Sequence, residues 1–406
     1  MLDEIPSWVF ALSTGRVVPT GEYMAEGNRN NDLASIAGFL HRTRGLSGVA
    51  LETTLLKIND GKLPAAEVAA IALSISKYDV FGGADMRDLP LSKLIAEQIC
   101  SKARYTTSGK WMVYDGKRWR PDPRGVQAKE VHCRWMRTIH DAIIEAGDAD
   151  RVRQAHNLLS QKRIKDVFAL LNADPAVLTD PEEFDANQDL LNFQNGTIDL
   201  SSMSFRPHSP TDMITMVASC DYDPDAICPT FDQFLGQVLP KDHGDFVLRL
   251  MGYSLTGKAN EHVFAMLLGA GRNGKTTLAN VLPMILGDYC ANADPSTFTR
   301  KSHDRVTIDI ARLKNKRVVT TAEISKGEIL DAALMKRLAG GDRITTRHHY
   351  EEFFEMSVKA LIMMTTNVLP VIDGGDSALA RRIIVVPFSR VFEISEVDAG
   401  LPDRLA

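Results

Sequence analysis

Cysteine is scarce in this chain. Its 406 residues hold five (Cys100, Cys133, Cys220, Cys228 and Cys290), scattered and without a CxxC pair. That spacing excludes a disulfide scaffold and argues for reduced thiols and against a zinc site. Long hydrophobic runs are missing too. No stretch approaches the roughly 18 apolar residues that cross a bilayer, so no membrane partner is expected. The only apolar stretch near the start, Ile5 to Leu12, follows Asp3 and Glu4. A secretory signal needs a basic start, so a cytosolic protein is expected. Nor is there an excess of positive charge: Lys+Arg 47 against Asp+Glu 52 gives a net charge of -5. Any affinity for nucleic acid must therefore come from local patches. What is present is an ordinary globular mix, 44% hydrophobic and 24% charged, which excludes a disordered or collagenous chain. The length suggests two or three domains.

The first twenty residues have weak periodicity and read as a tail. From Asn31 to Tyr78 the apolar spacing is helical: Leu33, Ile36, Ala37 and Leu40 share a face, as do Leu51, Leu55 and Ile58, then Val68, Ile71, Ala72 and Ile75. Gly45, Asn59-Asp60-Gly61 and Pro64 separate these runs, which predicts about three small helices. Between 101 and 120, aromatic and β-prone residues flank Asp115-Gly116, a hairpin signal. Helical patterns return over Gln127–Ala146 and Arg151–Leu171, and Leu190–Leu200 reads as a hairpin around Asn195-Gly196. Asp221–Pro229, rich in Asp and Pro, marks a boundary. Beyond about 230, buried apolar strands alternate with helices: Val263–Leu268, Arg317–Ala322, Val358–Thr366 and Ile383–Val386 are the strands. That order predicts an α/β core with a parallel sheet. The expected domains are a small helical one at 1–85, a mixed α+β one at 86–230 and the α/β one at 231–406.

Gly269-Ala270-Gly271-Arg272-Asn273-Gly274-Lys275-Thr276 matches GxxxxGK[ST], follows an apolar strand and opens a helix. Such a loop cradles phosphates with backbone N–H groups. Lys275 adds a cation for the β- and γ-phosphates, Thr276 a hydroxyl for Mg²⁺, and the helix N-terminus, which includes Thr277, a favourable dipole. Hydrolysis needs further groups, and open parallel sheets present them at strand C-terminal ends. Glu323 ends RVVTTA and can polarise the attacking water or help hold Mg²⁺; a helix-start glutamate is the plainer alternative. Asn367 ends the strand VKALIMMTT and can contact the γ-phosphate or water; a turn asparagine is its plainer alternative. Arg381 and Arg382 precede IIVVP. Either can act as an arginine finger on a neighbouring subunit's nucleotide, or be a solvated basic pair.

Taken together, GAGRNGKTTLANVLPMILGDY, RVVTTAEIS, LMKRLAGGDRITTR, IMMTTN and LARRIIVVPF resemble the superfamily 3 helicases, and within them the phage/plasmid and poxvirus-type primase–helicase branch. The resemblance implies an AAA+-like ATPase core that assembles as a homo-hexameric ring, uses ATP and Mg²⁺, and moves along single-stranded or forked DNA. By motif position Lys275 and Thr276 fall on Walker A, Glu323 on Walker B and Asn367 on sensor 1. Arg382, by its spacing to Phe388, is the preferred finger, with Arg381 second. One departure stands out: many members carry two adjacent acids in Walker B, whereas Ala322 precedes Glu323 here. Upstream, DLLNFQNGTIDL and FRPHSPTDMIT resemble the domain before the helicase. GNRNNDLASIAGFLHRTRGLS and LPAAEVAAIALSISKY resemble the helical linker that follows phage primases. The 26 residues ahead of that linker are expected to be too few for a primase catalytic domain, and relatives usually continue past the point corresponding to Ala406. The resemblance allows a separate primase or polymerase as a partner, as in one half of a split primase–helicase, and for a phage- or plasmid-encoded chain it implies the bacterial host cytoplasm as the location.

Asp342–Met356 reads as a hairpin, which in the family points into the ring channel. Lys336, Arg347, His348 and His349 are the candidates for DNA phosphate contact, although Glu351 and Glu352 sit at the same tip. Two other patches are basic. Arg300–Arg317 has seven Lys/Arg against two Asp. Segment 101–120 has six against one, interleaved with Tyr105, Trp111, Tyr114 and Trp119. The aromatics can stack bases, but their alternation suits the core of a half-buried sheet better. Three functions follow: an ATP-driven helicase, an AAA+-like ATPase that loads or remodels nucleoprotein without unwinding, or a DNA-binding protein with a relic loop. The intact set of Lys275, Thr276, Glu323, Asn367 and Arg382 disfavours the third.

Overall fold

A computed structural model of the chain describes residues 37, 52–56, 65–66, 68–72, 85–146, 149–300, 308–325, 327–347, 352–371, 376–398 and 400–405. The expected tail and most of the helical run from Asn31 to Tyr78 lie outside the described residues; those described at 52–56 and 68–72 are helical. The described chain forms two compact units, one containing 85–112 and 122–179, the other 113–121 and 180–405.

In the first unit, α1 (Asp88–Ile99) leads to β1 (Ala103–Thr106), and α2 (Val126–Ala146), α3 (Ala149–Ala155) and α4 (Gln161–Leu171) follow. Ser160 starts α4 by accepting a hydrogen bond from the Arg163 amide at 3.4 Å. The chain then returns to lay the two-residue β4 (Leu178–Thr179) parallel to β1. Trp111 stacks on Phe168 of α4 with ring centroids 5.1 Å apart. Here an aromatic of the 101–120 segment is core.

His132 of α2 is fully buried beside Phe168. One ring nitrogen lies 3.1 Å from the Ile164 carbonyl, while Nδ1 has no partner. Burial pushes the imidazole from 6.5 down to about 4. Between those values the unfolded chain binds the extra proton and the folded one does not, so stability is complete above pH 6.5 and falls as pH drops through 4. The whole effect is about 3 kcal/mol. The melting temperature of the wild type is expected to fall more steeply between pH 6.5 and 4.5 than that of His132→Gln. Parallel profiles would remove His132 from the account.

In the second unit, the turn after β2 (Trp111–Tyr114) is closed by Asp115, whose carboxylate accepts from the amides of Lys117 and Arg118 at 2.9 and 3.0 Å. All four β2 residues are buried, whereas β3 (Trp119–Asp122) exposes its two middle positions. Strict half-burial therefore holds for neither strand. Trp119 lies against Tyr114 and Phe184 and donates its indole N–H to the Pro210 carbonyl at 2.8 Å. Nearby cations are engaged: Lys117 reaches Gln194 at 2.8 Å and Arg118 pairs with Asp288. The expected hairpin at Leu190–Leu200 is β5 (Leu190–Asn192) and β6 (Thr197–Asp199), joined by an antiparallel β7 (Ser204–Arg206).

Two helices, α5 (Pro229–Val238) and α6 (Lys241–Leu255), precede the α/β core. Its strands are β8 (Phe264–Leu268), β9 (Cys290–Ala293), β10 (Val318–Thr321), β13 (Leu361–Thr366) and β14 (Ile383–Pro387), with α7 (Lys275–Leu286) after β8. All neighbouring pairs are parallel, in the order β14-β8-β13-β10-β9, so the expected parallel α/β core is present. Strand residues point alternately to opposite faces. Ala265, Leu267, Val318 and Met363 pack with Leu278 and Leu282 of α7 on one face. Phe264, Met266, Val319 and Met364 pack on the other against Met335 and Leu338 of α8 (Ala332–Gly340). Asp331 caps α8 by accepting from the Leu334 amide at 2.9 Å, and Gly341 ends it in the left-handed region. The hairpin of β11 (Arg343–Thr346) and β12 (Phe354–Ser357) follows, with Arg343 opposite Ser357. A short helix, α9 (Ser377–Ala380), precedes β14.

Candidate active site

The glycine loop leaves β8 at Leu268 and is clamped from three sides. The Gly269 amide donates to Thr366 O at 3.2 Å, the Asn273 side chain reaches Phe388 O at 3.4 Å, and the Phe392 amide donates to Arg272 O at 2.8 Å. Two positions require glycine. A Cβ on Gly269 would lie 2.5 Å from the Phe388 carbonyl oxygen. Gly274 starts α7 at φ +84, and its Cβ would meet Val238 at 2.5 Å. The loop thus delivers Lys275 and Thr276 as the first two residues of a helix, where free amides and the helix dipole face outward.

Lys275 is buried, yet its ammonium is satisfied by oxygens alone. It donates to the Gly269 carbonyl, to Asn273 Oδ1 at 3.1 Å and to Asn367 Oδ1 at 3.1 Å. Burial lowers its proton affinity below the usual lysine value, and the Glu323 carboxylate partly offsets that. Glu323 and Asn367 follow the C-terminal ends of β10 and β13 and are both exposed. A hollow of about 440 Å³ is lined by Gly271 to Thr277, Glu323 and Asn367. The Lys275, Thr276, Glu323 and Asn367 expected from the motif spacing therefore line a single hollow. Gly269 and Ala270 belong to the loop's stem and are not among its lining residues. A second hollow of about 350 Å³ shares Arg272, Gly274 and Thr277 with the first and is walled by Phe234, Val238, Phe392 and Leu401.

The remaining candidates lie elsewhere. Arg381 Nε donates to Ser377 O at 3.2 Å and Arg382 Nη1 to Ala378 O at 3.1 Å, and neither lines the hollow of its own chain. Lys336 is paired with Asp376 at 2.8 Å, which holds that carboxyl below its ordinary range. Arg347 lies over the Phe353 ring at 4.9 Å, and its buried Nε has no partner. His348 and His349 lie outside the described residues. Within the basic run before β10, Lys314 pairs with Glu182 at 2.6 Å, and Lys316 donates to Asp288 O. Arg317 is buried and donates to Leu190 O at 2.8 Å. Sequence spacing missed Asn280, Asn292, Thr320, Thr365 and Thr366, which also line the hollow. For four of them the available signal was hydroxyl and amide side chains on otherwise apolar parallel strands; Asn280 lies one turn beyond Thr276 on α7.

The chain is similar to known proteins along most of its length. Residues 92–240 match the family model described as D5 N terminal like, residues 21–80 that of Primase C terminal 1 (PriCT-1), and residues 267–382 a family of unknown function, DUF5906. A protein of Acanthamoeba polyphaga mimivirus named as a helicase is 29% identical over 250 residues, covering 59% of this chain and 26% of its own. One from African swine fever virus named as a primase is 24% identical over 215 residues, covering 50% and 22%. One from Invertebrate iridescent virus 6 named as a helicase is 23% identical over 239 residues, covering 55% and 24%. The chain spans about a quarter of the length of these curated relatives. Among solved structures, the apo NrS-1 C terminal region is 12% identical with a TM-score of 0.47, covering 79% of this chain and 66% of that one. The chain is thus similar, in successive parts, to primase-associated and D5-like family models and to viral proteins named as helicases and primases. Among the described residues, no helix is long and apolar enough to cross a membrane.

Proposed function

We propose that this chain is an ATP-dependent DNA helicase motor whose nucleotide lies in the hollow at the C-terminal edge of the parallel sheet. The observation that carries the reading is the meeting of Lys275, Thr276, Glu323 and Asn367 around one hollow. A glycine loop alone would serve any phosphate; the strand-end carboxylate and amide are what hydrolysis adds. The amides of the loop and the Lys275 ammonium hold the phosphates. Lys275 already sits among three oxygens, so phosphate oxygens replace acceptors it has in the resting state. The Glu323 carboxylate orients and takes a proton from the attacking water, and Asn367 reports the γ-phosphate. The second hollow gives the nucleoside an apolar wall between Phe234 and Phe392. The donor set suits Mg²⁺: the Thr276 and Glu323 oxygens are hard ligands, and a buried Thr320 hydroxyl without a partner faces the same space. Bound there, the ion would neutralise charge on the phosphates. The β11–β12 hairpin, with Arg347 and the neighbouring His348 and His349, and Lys336 of α8 are the proposed DNA contacts. The working form is a ring of identical copies, a homo-hexamer, on single-stranded or forked DNA, with a primase or polymerase acting beside it.

The test is strand displacement on a forked duplex alongside ATP hydrolysis, for the wild type and Lys275→Ala. Displacement is expected with ATP, absent with a non-hydrolysable analogue and absent in the variant. Displacement that survives Lys275→Ala discards the mechanism. DNA-stimulated hydrolysis without displacement makes the chain a loader or remodeller instead.

A further inference from the structure

Ala322 precedes Glu323 on the lining of the hollow, and β10 leads up to both. Along β10 the faces alternate. Val318 packs with Leu278 and Leu282 of α7, and Val319 packs on the opposite side. Thr320 therefore shares the α7 face. Thr320 is 3% exposed, its Oγ1 has no hydrogen-bond partner, and the residue lines the hollow. Valine would fill the same volume in a strand that already reads Val318-Val319, without leaving a buried hydroxyl unsatisfied. An orphan of this kind is costly and calls for an account. Its register partner on β9 is Asn292, an exposed residue that lines the same hollow. Flanking positions on β9 are apolar: Ala293 is buried in the core of the other face, and Ala291 packs against it. Asn292 thus lies beside Thr320 on the α7 face of the sheet, where the hydroxyl of Thr276 also borders the space.

We propose that Thr320 and Asn292 form a neutral shelf that orients the hydration shell of the divalent ion arriving with the nucleotide, in place of the carboxylate that position 322 lacks. This rests on the reading of the hollow as a nucleotide site. Mg²⁺ parts with its waters reluctantly and is held through one or two protein oxygens plus phosphates. The groups that hold its waters set its position nearly as strongly as its direct ligands. A hydroxyl and an amide can do this by hydrogen bonding. Carrying no charge, they give the ion little reason to bind before the nucleotide does. Thr320 and Asn292 are positioning residues, and their effect should appear only when both ion and nucleotide are present.

The experiment is calorimetric titration of a non-hydrolysable ATP analogue into the full chain, with Mg²⁺ and with EDTA. Wild type, Thr320→Val, Thr320→Ser, Asn292→Ala and Lys275→Ala are compared, and the melting temperature of each nucleotide-free protein is recorded. Thr320→Val and Asn292→Ala are expected to lose about tenfold in affinity with Mg²⁺ and less than twofold in EDTA. Thr320→Ser should keep wild-type behaviour, and the unliganded Thr320→Val protein should melt no lower than wild type. Equal losses with and without the ion, or no loss in either variant, would overturn the proposal. Asn292 is exposed, so its variant keeps the test decisive if Thr320→Val folds poorly. Loss of binding in Lys275→Ala under both conditions supports the nucleotide site itself. Failure of the wild type to bind at all would overturn that underlying reading instead.

Discussion

Lys275→Ala is expected to weaken ATP binding at least a hundredfold and to bring phosphate release down to background. Among the described residues the side chain supplies the only ammonium lining the hollow, and hydrogen bonds to charged groups contribute about 1.5–3 kcal/mol each. Its folding cost should be small. The ammonium is buried, and burial already disfavours its charge, so removing it relieves a desolvation penalty; the Asn273 oxygen keeps the backbone amide of residue 275 at 3.5 Å, and the exposed Asn367 oxygen loses the ammonium to solvent. The check is titration with a fluorescent nucleotide alongside thermal melting. A variant that melts like wild type and still hydrolyses ATP at the wild-type rate would remove Lys275 from the mechanism.

Arg382→Ala is expected to lose about 10³–10⁵ in turnover, the range for an arginine finger, while binding ATP nearly as well as wild type. The finger's contact matters in the transition state more than in the bound ground state. Arg382 cannot act on its own hollow from where it sits, because it does not line that space and one of its Nη atoms is held by Ala378 O. Its Nε is buried and unpartnered. In the proposed ring a second copy receives it, which gives the sharper measurement. Lys275→Ala protein carries an intact Arg382, and Arg382→Ala protein carries an intact hollow. Each alone should be inactive, and a mixture should recover part of the turnover. No recovery on mixing, together with full turnover in both Arg382→Ala and Arg381→Ala, would show that the site works within one chain.

The core of the second unit was largely legible before any coordinates. Strands such as Phe264–Leu268 and Leu361–Thr366 are buried on both faces, so they read as continuous apolar runs. The glycine loop is fixed by chemistry at every step. What stayed hidden had a physical reason. β9 is Cys-Ala-Asn-Ala, four small residues on an edge paired only to β10, and nothing in that string signals a strand. β4 is two residues long and finds β1 some seventy positions away, a pairing that tertiary packing decides. Thr320 looked like an ordinary β-branched strand residue, and only its missing partner makes it informative. Among the expected DNA contacts, Lys336 is engaged by Asp376, a pairing that no spacing rule connects.

β13 begins four residues after β12 ends, and all six of its residues are buried between two layers of side chains. At about 3.3 Å per residue it is a rod of roughly 20 Å, with Asn367 at one tip and the hairpin arm joined to the other. A strand held on both sides by β8 and β10 keeps its two ends at a fixed separation. If the hollow is the nucleotide site proposed above, the hairpin arm hangs from the same stiff element that carries Asn367, so strand geometry rather than loop flexibility relates the two.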